Sequence, residues 1–183
     1  ADTTIFVVGD NGSARNSTLP QLRFAKGSVL EAGVRVPFVV AGKGVRSRGV
    51  AHGLVHTSDL FATLADIAGV DLPAMDAQED ALPRDSVSFL PVLGDVDAPT
   101  RAYNYTEAFR PNGPGPYDQS DRAITDGRFK LVLREGVLTG EFLFDLDSPD
   151  EEEVNLYDHP LSAEAADADH RLRAELARTR AAR

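Results

Sequence analysis

Two apolar runs without alternation, Thr3-Thr4-Ile5-Phe6-Val7-Val8 and Val36-Pro37-Phe38-Val39-Val40-Ala41, set the terms for any fold this chain adopts. β-Branched and aromatic side chains at consecutive positions suit strands covered on both faces, as in a parallel sheet flanked by helices. Pro37 is tolerable near the start of its strand, where a ladder donor is not required. One clear helix goes with them. Thr57 or Ser58 can cap it, Asp59 sits in its first turn, and Gly69 ends it. Leu60, Leu64 and Ile67 recur at helical spacing with Phe61, Ala65 and Ala68 beside them, so this stripe is expected to pack into a core. Two strands and one helix are too little for an independent doubly wound sheet of roughly 5–6 strands. The other strands must come from somewhere else.

Residues 71–99 are rich in Pro, Asp and Gly and read as a long connection, with one short helical turn around residues 88–93. The composition then changes. Residues 102–106 look like a strand and 111–116 like a Gly/Pro loop. Arg122-Ala123-Ile124-Thr125 and Phe129-Lys130-Leu131-Val132-Leu133 flank Asp126-Gly127, a strong hairpin signal. Residues 141–146 add a third strand. Ser162 can cap a closing helix that runs to about Arg180, with Ala168, Leu172 and Leu176 on one face. The expected class is α/β. Residues 1–99 form part of a doubly wound core, and residues 100–183 form a small α+β subdomain with an antiparallel sheet and the closing helix.

With 42% hydrophobic and 26% charged residues, the 183-residue chain reads as an ordinary soluble globular protein. It has no apolar run of transmembrane length and no signal-peptide pattern. A formal net charge of -10 argues against nucleic acid or an anionic membrane as partner. An acidic protein that handles an anionic substrate must gather positive charge locally, from a metal and from particular Lys and Arg side chains. The absence of cysteine excludes disulfides, Cys-ligated zinc and Cys nucleophiles within the chain.

Asp10-Asn11-Gly12 ends the first run. Asp10 and Asn11 offer two oxygens, which suit Ca²⁺ or Mg²⁺, at the strand end where α/β sheets bind ligands. The same tripeptide is ordinary turn chemistry. Two ligands cannot fill a six- to eight-coordinate calcium site. Lys26 follows in a Gly-rich loop, where Gly27 and Ser28 permit close approach of an anion; a solvated lysine is the other reading. Arg23 and Arg35 lie near it, and Arg35 also suits a structural ion pair with Glu31. His52 and His56 are read as capping or packing residues, and His159 and His170 as surface ones. The acidic run 150–153 lacks EF-hand spacing and reads as capping or solvating a loop. No Gly-x-Ser-x-Gly elbow, P-loop or dinucleotide fingerprint occurs.

The segment 5–12, followed by Leu22-Arg23-Phe24-Ala25-Lys26-Gly27-Ser28-Val29-Leu30-Glu31-Ala32-Gly33-Val34-Arg35-Val36-Pro37, resembles the C-terminal half of a type I sulfatase. These enzymes belong to the alkaline phosphatase superfamily. Residues 55–69 look like the family's helix after the second strand, 123–131 and 141–146 like its C-terminal antiparallel sheet, and 150–156 like the acidic segment before its last helix. The resemblance covers nearly the whole chain. It implies a partial alkaline-phosphatase-like sheet, with Asp10 and Asn11 as ligands of one active-site calcium and Lys26 as a sulfate contact. Asn at position 11 favours calcium and sulfate esters. Related phosphonate and phosphodiester hydrolases often carry His there and hold a transition metal.

The family's C/S-x-P-x-R motif, oxidised to formylglycine whose hydrated aldehyde is the nucleophile, does not occur in these residues. Nor do the paired aspartates that complete the calcium site, or the other catalytic Lys and His. The resemblance therefore implies the portion from the penultimate third onward, acting with a missing N-terminal half on a small-molecule or glycan sulfate ester, in the periplasm or secreted. The chain alone is expected to be incomplete and inactive. Two other readings stay open: a catalytically inactive stand-alone module, and a phosphonate or phosphodiester hydrolase of the superfamily. The loops 42–53 and 111–116 are candidates for selecting the substrate.

Overall fold

The computed structural model describes residues 2–14, 26–77, 84–136 and 139–181. The chain divides into two compact units interleaved in sequence. One comprises the described residues up to Phe6 together with Val39–Asn104. The other comprises Val7–Phe38 and Tyr105–Ala181.

The two apolar runs become β1 (Thr4–Val8) and β2 (Phe38–Gly42), which pair as a two-stranded sheet. Gly9 N donates to Pro37 O at 3.0 Å and Lys43 N donates to Thr3 O at 2.8 Å, so the strands run antiparallel. This corrects the parallel-type pairing expected from their composition. The reason is that the chain between them folds back on itself: the ladder continues beyond the strands through Gly12 N to Gly33 O and Ser13 N to Ala32 O, both 3.0 Å. No long crossover helix intervenes among the described residues, since α1 (Glu31–Val34) is a single turn. Two strands alone cannot cover both of their faces. Ile5, Val7 and Val39 accordingly remain 54%, 59% and 58% exposed, as the shortage of strands demands.

In the first unit, α2 (Asp59–Ala68) ends at Gly69, whose φ of 73° is the left-handed geometry glycine accepts without strain. Its buried face is not the expected one. Asp59, Ala62 and Thr63 are buried, whereas Phe61, Leu64 and Ile67 are exposed. The small residues let a short 3₁₀ turn, Leu90–Leu93, and the segment before it approach closely. Thr63 Oγ1 donates to Asp59 O at 2.8 Å and accepts from Phe89 N at 3.0 Å. Phe89 is buried and meets Phe6 edge to face. A short helix that sequence reading missed, α3 (Leu72–Asp76), is capped by Asp71, which accepts from Ala74 N.

Asp59 is the polar centre of this unit. Oδ1 accepts from Val87 N at 2.8 Å and from Arg101 Nη2 at 2.6 Å. Oδ2 accepts from His56 N at 2.8 Å and from Arg101 Nε at 2.9 Å. The carboxylate and guanidinium form a bidentate fork, with side chains only 2% and 12% exposed. Ser58 makes no side-chain cap of α2, and its hydroxyl instead meets His56 Nδ1; in the first turn the Ser86 hydroxyl accepts from Ala62 N at 3.0 Å and donates to Ser58 O at 2.7 Å.

The second unit contains a four-stranded sheet in the order β3 (Asn104–Arg110), β4 (Gln119–Thr125), β5 (Phe129–Gly136) and β6 (Gly140–Asp145). The β4–β5 and β5–β6 pairs are antiparallel, with Ile124 opposite Leu131 and Leu131 opposite Leu143. The hairpin falls at Asp126-Gly127. Asp126 Oδ1 accepts from Arg128 N and Phe129 N, and Gly127 takes a φ of 99°. α4 (Ala163–Ala181) starts after Ser162, whose hydroxyl accepts from Ala165 N, and buries Ala165, Ala168, Leu172 and Leu176. Each such buried leucine is worth about 1.5–3 kcal/mol against exposure. A separate cluster joins Val29 and Leu30 to Ala123, Val132 and Phe144. It seats the segment that precedes α1 on the sheet.

Candidate functional site

The site builds outward from the antiparallel ladder. Gly9 and Gly12 flank Asp10 and Asn11, and both glycines are tied by their N–H groups to the opposite segment. Gly12 lies so close that a Cβ there would meet Ala32 O at 2.2 Å and Gly33 C at 2.5 Å. The turn is therefore fixed by backbone at both ends, while Asp10 stays exposed and Asn11 half-buried. Lys26 N donates to Ser13 O at 2.9 Å. That bond brings Lys26, sixteen positions after Asp10 in sequence, to the end of the same ladder. Its side chain is exposed. Arg23 and most of the polar stretch 13–24 lie outside the described residues.

Asp10 and Asn11 fit a hard cation by donor chemistry. Asn11 Nδ2 donates to Gly12 O at 3.0 Å, which leaves Oδ1 as the acceptor of that amide. Among the described residues no group of three or more His, Asp or Glu side chains gathers around a common point. Two oxygens are what this turn brings, a fraction of the six to eight that calcium takes.

Behind the turn stands a group that sequence reading did not find. Lys130 points from β5 toward α1 and is 1% exposed. Its Nζ lies 2.8 Å from Glu31 Oε1 and 2.9 Å from Glu152 Oε1. Glu152 Oε2 also accepts from Glu31 N at 2.7 Å. The expected Glu31–Arg35 pair gives way to Lys130, and one residue of the acidic run, Glu152, is a half-buried partner and cap. The available signal was a lysine inside the apolar run of β5.

Burial, opposed by Lys130, raises the Glu152 carboxyl above the ordinary glutamate value. A carboxyl with a raised folded-state pKa favours folding while protonated. Its contribution is full below the unfolded value of about 4.3 and fades as pH rises through the raised one. Glu152→Gln keeps an acceptor for Glu31 N–H and removes this dependence. Denaturation midpoints measured from about pH 4 to about pH 7 should therefore decline less, or rise more, in the variant than in the parent. Parallel pH profiles would refute the assignment.

Among the described residues no helix is long and apolar enough to cross a membrane. Residues 1–70 match the family model described as Sulfatase. A sulfatase of Formosa agariphila is 38% identical over 81 residues, 43% of this chain and 15% of that protein. Arylsulfatase A of Bos taurus is 29% identical over 135 residues, 70% of this chain and 24% of that protein. The chain thus spans a quarter or less of these curated relatives. A solved 2-O GAG sulfatase superposes with a TM-score of 0.61 at 27% identity, covering 84% of this chain and 31% of that one.

Proposed function

From the match of residues 1–70 to the Sulfatase family model and the likeness to solved and curated sulfatases, we propose that this chain is the portion of a sulfuric ester hydrolase that supplies two calcium ligands and a sulfate-binding lysine. Asp10 and Asn11 would hold the cation, which when bound polarises sulfate oxygens and offsets charge in the transition state. Lys26 binds a sulfate oxygen and orients the ester. It adds positive charge where this acidic chain otherwise has little to offer an anion. The nucleophile, a formylglycine by resemblance, and the remaining calcium ligands come from residues outside these 183. The observation that carries the reading is the bond from Lys26 N to Ser13 O, which ties the lysine to the Asp10-Asn11 turn.

The substrate class is a sulfate monoester, supported by the arylsulfatase and GAG sulfatase likenesses. A phosphonate or phosphodiester substrate is disfavoured by Asn at position 11. The test is hydrolysis of matched aryl sulfate and aryl phosphate esters by the full protein that carries this chain, with and without a calcium chelator. Sulfate hydrolysis that the chelator abolishes is expected; preference for phosphate would reverse the assignment. In the same assay Lys26→Ala should lower turnover by roughly 10²-fold, the scale for one preorganised charge contact. Because the side chain is exposed, the thermal midpoint should hardly move. Unchanged turnover would remove Lys26 from the site.

A further inference from the structure

We propose that Lys130, Glu31 and Glu152 form a buried clamp that holds the candidate site in register, with Lys130 and Glu152 as positioning residues. The proposal rests on the reading of Asp10, Asn11 and Lys26 given above. α1 is the hub. Its Ala32 and Gly33 carbonyls receive the Ser13 and Gly12 N–H groups, so any movement of α1 moves the turn that carries Asp10 and Asn11. Ser13 O in turn receives Lys26 N. Yet α1 is one turn long, and its own N-cap, Leu30, makes no side-chain cap bond. A single helical turn does not hold itself together in water. The missing cap comes from Glu152, 121 residues away in sequence. Lys130 joins the two carboxylates from below, and Val29 and Leu30 are packed beside them on the sheet.

Apolar side chains of equal volume would pack this spot at least as stably, because burying ions costs desolvation that pairing only partly offsets. Charged groups add direction: each contact fixes α1 at a bonded distance. The cluster carries two carboxylates on one ammonium. Removing Lys130 therefore leaves two like charges facing each other in a half-buried place, and removing one carboxylate as well should relieve it.

The experiment measures amide hydrogen exchange and aryl sulfate turnover in the full protein, for Lys130→Met, Glu152→Ala and the double variant Lys130→Met/Glu152→Gln. For Lys130→Met the Gly12 and Ser13 amides should exchange at least about tenfold faster, while those of β4 and α4 keep their protection. Turnover should fall on the order of 10²-fold, as for a small displacement of a reacting group. The double variant should recover part of both losses, a rescue that a purely packing role does not produce. If Lys130→Met fails to fold, Glu152→Ala carries the test, since it keeps the Lys130–Glu31 pair and removes the cap together with the Glu152 arm of the clamp. Exchange that rises evenly across the unit, or stays unchanged at Gly12 and Ser13, would overturn the clamp. A parent that hydrolyses no sulfate ester would overturn the functional reading instead, and the exchange pattern would still decide the clamp.

Discussion

Replacing Arg101 with methionine is expected to destabilise the first unit by about 3–5 kcal/mol, the cost of leaving a buried carboxylate without its cation. Asp59 would keep the N–H groups of His56 and Val87 and lose both arms of the guanidinium. With its side chain 2% exposed, water cannot take the place of the fork. Since native domains hold only about 5–15 kcal/mol, that loss is at least about a fifth of the whole, and the urea midpoint of the unit should fall accordingly. The double variant Asp59→Asn/Arg101→Met removes the stranded charge and should recover at least about 1 kcal/mol, visible as coupling in a mutant cycle. A single-variant cost below about 1 kcal/mol would mean that the pair behaves like an exposed one.

The second large effect is expected at Gly12→Ala. The new Cβ would sit 2.2 Å from Ala32 O. The obstructing atoms are backbone, so no side chain can rotate aside, and the two segments must part. Parting breaks the bonds from Gly12 N to Gly33 O and from Ser13 N to Ala32 O. Two backbone bonds at about 0.5–1.5 kcal/mol each and an overpacking strain of about 1–3 kcal/mol sum to about 2–6 kcal/mol. The same shift displaces Asp10 and Asn11, so turnover of the full protein should drop by 10²-fold or more on the scale of a misplaced group. Gly9→Ala is the internal control. Its Cβ would meet Val36 Cβ at 3.1 Å and Pro37 Cδ at 3.4 Å, contacts that a shift of a few tenths of an ångström relieves, and its effect should be far smaller. Equal effects at the two glycines would show that the close approach at position 12 is not what matters.

What could be read from the sequence follows the range of each signal. The Asp126-Gly127 hairpin, β6 and α4 depend on neighbours within a few positions, and they occur where those neighbours predict them. The existence of α2 was legible, and its orientation was not. Periodicity reports which side of a helix is apolar. It does not report which chain segment arrives to cover that side, and here Thr63 and Asp59 engage residues 86–101 while Leu64 and Ile67 remain outside. The Asp10-Asn11-Gly12 turn was legible as a turn that bears oxygen donors. Its tie to Lys26 was not, because a backbone bond leaves no trace in side-chain identity. Lys130 was the hardest case. Within one strand it looks like the outward member of an alternating pair, and its meaning depends on Glu31, 99 positions earlier.

That separation bears on the order of assembly. Closing a loop of 99 or 121 residues must wait until both ends exist and the intervening chain has given up its freedom. During synthesis the Asp10-Asn11 turn leaves the ribosome well before its last tether, Glu152. A chain cut short just before that residue would retain Asp10, Asn11, Lys26 and even Lys130, and yet lack the cap on α1. Damage far downstream, at a residue that touches no ligand, would then have the outward character of an active-site lesion.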